Sequence, residues 1–132
     1  MDADPSDAAA TPPTRSAYAH AALLDLDPGG DDAAPGAAIT VALCGSWTHE
    51  PPCPLAPHHT RAHRSGSEVS LRLLFAARPE DEARVRALVD EALDRGWGDG
   101  PDGERTAWQL VWAAPSEVLP EEQDHARRLI RS

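Results

Sequence analysis

Residues 68–76, EVSLRLLFA, alternate along their length. Val69, Leu71, Leu73 and Phe75 fall on one side and Ser70, Arg72 and Leu74 on the other. A period of two is the mark of an extended strand with one buried face, because successive side chains of a strand point in opposite directions. Two further stretches read the same way. In AITVALC, 38–44, Ile39, Val41 and Leu43 oppose Thr40, Ala42 and Cys44; in TAWQLVW, 106–112, Trp108, Leu110 and Trp112 oppose Ala107, Gln109 and Val111. A weaker strand is expected over 20–26, joined to 38–44 as a hairpin through the turn-rich DPGGDDAAPG. On this reading Cys44 points away from the main core, while Trp108 and Trp112 pack inside it.

Two helices complete the pattern. In PEDEARVRALVDEALDRGW, Pro79 suits the first helical position, Glu80, Asp81 and Glu82 complement the N-terminal dipole, and Gly96 suits a C-terminal cap. Val85, Leu88, Val89 and Ala92 then form one stripe, with Leu93 at its border. Pro120 opens the second helix, in which Ala126, Leu129 and Ile130 face inward and His125 lies towards solvent. The order β-β-long loop-β-α-β-α predicts an α+β two-layer sandwich of ferredoxin-like character: an antiparallel or mixed sheet of three or four strands with two helices on one face. The other face must then be solvated, covered by the long loop, or closed by a second copy, so a homodimer through the sheet is an expectation.

Length and charge narrow the partners. The 132 residues suit one domain, expected over 18–132 after a disordered Ala- and Pro-rich acidic tail at 1–17. Every basic residue is arginine and asparagine is absent, as a GC-rich coding sequence tends to produce, so the abundance of Ala, Pro and Arg carries little functional meaning. A net charge of -10 argues against nucleic acid, whose phosphates need a basic face. The charge is uneven: residues 1–32 and 80–132 each carry -6, whereas 33–79 carry +2. No apolar run approaches a membrane span and the N-terminus has no signal-peptide pattern, so a cytoplasmic protein with reduced thiols is expected.

The non-acidic third contains the chemistry. CGSWTHEPPCPLAPHHTRAHR, 44–64, holds both cysteines and four of the six histidines. A 45–66 connection is long for two strands, and long connections in compact domains are usually functional or disordered; the prolines, Trp47 and Leu55 favour order. PHHTRAHRSG reads as a short helical turn from Pro57, ended by Gly66, which would set His59 and His63 at i and i+4 on one face and turn His58 away. Four donors from Cys44, His49, Cys53, His59 and His63 would suit tetrahedral zinc; copper or nickel also accepts nitrogen and sulfur donors. The spacing C-x4-H-x3-C-x4-H-H-x3-H matches no standard zinc finger. The expected function is therefore a small metal-binding protein, with the ion structural or catalytic.

Two alternatives use the same segment differently. Arg61, Arg64 and Arg72 could hold a small anionic molecule, with Cys53 as a nucleophile activated by His49 or His59. The acidic helices could instead make the chain an interaction module without chemistry of its own. His20 is a remote candidate ligand, and GWGDGPDGE, 96–104, reads as a flexible turn without calcium-loop spacing. The sequence holds no glycine-rich phosphate loop, nucleophile elbow or dinucleotide fingerprint.

Overall fold

A computed structural model describes residues 15–44 and 56–131. The elements run β1 (Ser16–Leu26), α1 (Ala34–Cys44), β2 (His58–Ser65), β3 (Glu68–Ala77), α2 (Glu82–Asp94), β4 (Trp97–Asp99), β5 (Arg105–Ser116) and α3 (Gln123–Ile130). Short 3-10 turns at Pro79–Asp81 and Pro120–Glu122 open α2 and α3. All strand pairs are antiparallel, in the order β2-β3-β1-β5-β4. The five-stranded sheet curls into a half-barrel accompanied by three helices. This corrects the expected ferredoxin-like sandwich of three or four strands with two helices on one face.

The largest local correction is α1. AITVALC was expected as a strand, yet it is the last part of a helix beginning at Ala34. Four alanines favour that conformation, and Pro35 occupies the first turn where its missing N–H costs nothing. Asp31 starts the helix: its Oδ1 accepts from the Ala33 N–H at 2.9 Å, and its carbonyl accepts from the Ala34 N–H at 3.0 Å. Ala34, Ala38, Ile39 and Leu43 are buried, a spacing of four, one and four that fits one helical stripe.

The opposite correction falls on β2. HHTRAHRS was expected as a helical turn ended by Gly66, but it pairs with β3 from His58↔Phe75 to Ser65↔Glu68. Gly66 and Ser67 are the two residues of a tight hairpin. Gly66 takes a φ of 63°, the left-handed backbone that a residue without Cβ reaches at little cost and that short hairpins require.

The core lies on one side of the sheet. Leu24 and Leu26 of β1, Val69, Leu71, Leu73 and Phe75 of β3, and Trp108 of β5 meet Ile39 and Leu43 of α1 and Val85, Val89 and Leu93 of α2. Trp108 donates Nε1–H to the Leu93 carbonyl at 2.8 Å, so its polar atom is satisfied inside the core. On the other side α3 closes a smaller cluster of Ala19, Leu74, Ala76 and Leu129. A helix thus covers part of the face expected to be solvated, covered by the long loop or closed by a second copy.

Trp112 leaves the core for a specific reason. The β1–β5 register passes from Leu23↔Trp112 directly to Leu24↔Leu110, skipping Val111. This bulge inserts one residue and reverses the alternation, so Trp112 shares the face of Leu23 instead of that of Trp108. Trp112 is 48% and Val111 57% exposed. Residues 97–99 also differ from the expected turn: they form β4, and the turn proper follows, with the Gly103 N–H donating to Gly100 O at 2.9 Å. Among the described residues no helix is long and apolar enough to cross a membrane.

Candidate functional site

β2 is an edge strand, and its alternation distributes the expected site residues over two faces. His59, Arg61 and His63 share the face of Leu74, Arg72 and Ser70, their partners in register. His58, Thr60 and Arg64 lie on the other face, towards α1. His59 and His63 are four residues apart on extended chain, about 13 Å at strand rise, so they cannot chelate one ion as the helical spacing would allow.

His58 is anchored beside α1. Its Nδ1 lies 3.0 Å from Ala56 O, so it carries the hydrogen and donates; Nε2 then accepts from the Thr40 hydroxyl at 2.9 Å. Cys44, the last residue of α1, sits with Sγ at 4.0 Å from His58 Nδ1. Cys44 is disulfide-bonded, which corrects the expectation of a free thiol. A disulfide sulfur has no thiolate to offer a metal, so Cys44 is not a ligand in this state. The sequence contains one other cysteine, Cys53; it and His49, together with Trp47, Leu55 and the tail over 1–14, lie outside the described residues. Among the described residues no group of three or more His, Cys, Asp or Glu side chains is placed to hold a metal ion.

The three arginines also separate. Arg61 and Arg72 are direct cross-strand partners. Arg64 faces the other way and donates to Gly30 O at 2.6 Å and Gly66 O at 3.0 Å. Arg72 is fully engaged: Nε and Nη2 grip the two oxygens of Glu122, each at 2.8 Å, Nη1 donates to Ser116 Oγ at 2.9 Å and Nη2 to Glu117 O at 2.8 Å. Glu122 Oε1 also accepts the Leu119 N–H at 2.9 Å. The guanidinium holds the Glu122 carboxyl below the usual carboxylate range, and Glu122 in turn raises Arg72. This pair fastens the start of α3 to the sheet; it is a clamp, not an open anion receptor.

A small pocket of about 90 Å³ opens beside the clamp, bordered by His59, Arg61, Leu74, Glu121 and His125. The imidazoles of His59 and His125 meet with ring centroids 4.5 Å apart. His125, expected in solvent, is therefore half-buried against β2. His59 is shifted below 6.5, first by burial and then by the positive charges of His125, Arg61 and His58; no carboxylate contributes an opposing effect. Arg61 is 60% exposed, and its nearest acid is Glu122 at 3.8 Å. The charges acting on His59 are cationic, and Glu121 and Glu122 border the same pocket alongside Arg61 and Arg72.

Sequence reasoning also missed a buried polar tie. His20, 2% exposed on β1, lies 2.7 Å by Nε2 from Asp90 Oδ1 and 2.9 Å by Nδ1 from Arg86 Nη1. Arginine only donates, so Nδ1 accepts and Nε2–H donates to Asp90. Arg86 also reaches Ala19 O at 2.7 Å and Glu82 at 2.8 Å. The network joins α2 to β1 and accounts for His20 without a metal. No family model, curated protein or solved structure matches the chain.

Proposed function

We propose that the chain binds a small oxyanion, a phosphate or carboxylate, at the corner where β2 meets α3. The observation that carries this reading is the His59–His125 imidazole pair beside the exposed Arg61 guanidinium, whose ion pair with Glu122 is long at 3.8 Å. Guanidinium and imidazolium groups donate charge-assisted hydrogen bonds to such oxygens. Arg72 and Glu122 contribute by holding α3 against the sheet, which fixes His125 over His59. Arg64 is excluded by its position on the other face.

The protonation chemistry sets the pH dependence. Because His59 in the folded chain is shifted below 6.5, the unfolded chain takes up the proton first, and stability declines as pH falls through that value towards the folded one. A bound anion offsets the repulsion between the two imidazoles, so inorganic phosphate raises the melting temperature more below 6.5 than above it. Histidine ring resonances followed by NMR during phosphate titration test the idea directly: His59 and His125 shift saturably, and Arg61→Ala weakens the response about tenfold or more. Ring shifts that remain linear in phosphate, or that survive Arg61→Ala unchanged, would rule the corner out.

A second reading rests on the 4.0 Å separation of Cys44 Sγ and His58 Nδ1. Two donors on tetrahedral zinc are about 3.5 Å apart, given bonds near 2.3 and 2.0 Å. Reduction would free the Cys44 thiol, and ligation through Nδ1 would move the imidazole proton to Nε2, where Thr40 Oγ can accept it. Zinc, or copper or nickel, would then be taken up by the reduced protein and not the oxidised one. Equal uptake in both states, or none in either, would discard this reading.

A further inference from the structure

On the other side of β2, α1 and the strand enclose a groove of about 290 Å³. Its walls are mostly small: Ala33 and Ala37 of α1, Ala62 of β2, and Pro101 across the opening. Gly36 creates the space. A Cβ at Gly36 would meet the Thr60 side chain at 3.4 Å, and a longer side chain there would fill the volume.

The polar side chains bordering this groove are Asp32, Thr40, His58, His59 and Thr60. Asp32, two residues before α1, makes no hydrogen bond or ion pair among the described residues. Thr60 Oγ1 is buried beneath Gly36 and has no hydrogen-bond partner among the described residues. A buried hydroxyl without a partner is costly, and such groups are rare in folded chains. His58, also in the lining, has both ring nitrogens engaged by Thr40 and Ala56. Among the described residues no lysine or arginine lines the groove. The one carboxylate, Asp32, offers a partner to a cation, and the Thr60 hydroxyl offers one to a second hydroxyl group.

We propose that this groove binds a small amino alcohol, its ammonium group on the Asp32 carboxylate and its hydroxyl on Thr60 Oγ1. The short carbon body lies against the alanine methyl groups and Pro101, a combination of apolar walls and a few placed polar groups that suits small-molecule recognition. The groove adjoins the imidazole corner, since His59 borders both, and it takes a ligand of opposite charge.

Ethanolamine is the probe, followed by chemical-shift perturbation of the full chain in amide NMR spectra. Saturable shifts confined to α1 and β2 at millimolar concentrations are expected, since so few atoms give modest affinity. Ethylamine, lacking the hydroxyl, binds about two- to tenfold more weakly, and glycolate, with the charge reversed, does not compete. Asp32→Asn weakens ethanolamine at least about tenfold, and Gly36→Leu abolishes binding while the fold is retained. Thr60→Val separates ligand recognition from folding: it lowers affinity to that of ethylamine and leaves the melting temperature of the unliganded protein unchanged or higher. Glycolate binding as well as ethanolamine would overturn the proposal, as would shifts that never saturate or a Thr60→Val protein that melts earlier with unchanged affinity.

Discussion

The two faces of the sheet are held by different forces. Towards α1 and α2, the cluster from Leu24 to Phe75 is continuous and almost entirely aliphatic or aromatic. Towards α3, four small or medium apolar residues are supplemented by a bidentate arginine–carboxylate pair, and Trp112 stays half in water. Burial of apolar surface is strong and non-directional, so the first face tolerates no loss of volume. A short helix with little to bury needs directional bonds to fix its position, and those bonds leave polar groups at the surface. The candidate anion corner arises on the second face for this reason.

Removing the ring at the centre of the first face gives the largest expected effect. Phe75→Ala, at a side chain with no exposure and in contact with Tyr18 at 5.4 Å between ring centroids, should cost about 3–5 kcal/mol in urea unfolding. Leu129→Ala on the second face should cost clearly less, since the residue keeps 8% of its surface exposed in a smaller cluster. Equal losses would erase the distinction between the faces.

The clamp comes next. Glu122→Gln leaves Arg72 without its counter-charge and should cost about 2–4 kcal/mol. Because the folded Glu122 is shifted below 4.5, the pair contributes fully above that value and its contribution is lost as pH falls through the folded one. The wild type should therefore lose stability faster than Glu122→Gln over that acid range. Parallel pH profiles would show that the pair contributes little.

Loss of the disulfide should follow in size. Cys44→Ser removes the disulfide, worth about 2–4 kcal/mol for a typical bridge, and reductant should leave the variant's melting temperature unaffected while lowering that of the wild type. Trp112→Ser should change stability by no more than about 0.5 kcal/mol, since the ring is half exposed on the uncovered part of the second face. A large loss there would mean that Trp112 packs against more than its strand neighbours.

Legibility followed the reach of the signal. β3 and α2 were readable because each carries its evidence locally: a full period-two run in Glu68–Ala77, and a stripe with terminal signals in 79–96. AITVALC has only seven residues, too few for a period of two to be told from a buried helical stripe. Its alanines, and the Asp31–Pro35 helix start, were the better guides. In HHTRAHRS the Gly66–Ser67 pair between two paired runs was a hairpin signal, outweighed by an attractive histidine spacing. His125 carried no local sign of its role, and neither did His20.

By itself the chain's order of residues determined which segments could bury a face, where α2 and α3 begin, and that its imidazoles and thiols gather in the non-acidic third. Those properties depend on neighbours a few positions apart. Tertiary structure alone decided that Val111 bulges and turns Trp112 outward, that His59 meets His125 instead of His63, and that Cys44 is oxidised beside His58. The reason is physical: register, face and partner are set by which distant segments pair, and an edge strand shows its two faces to two different environments only after the sheet has formed.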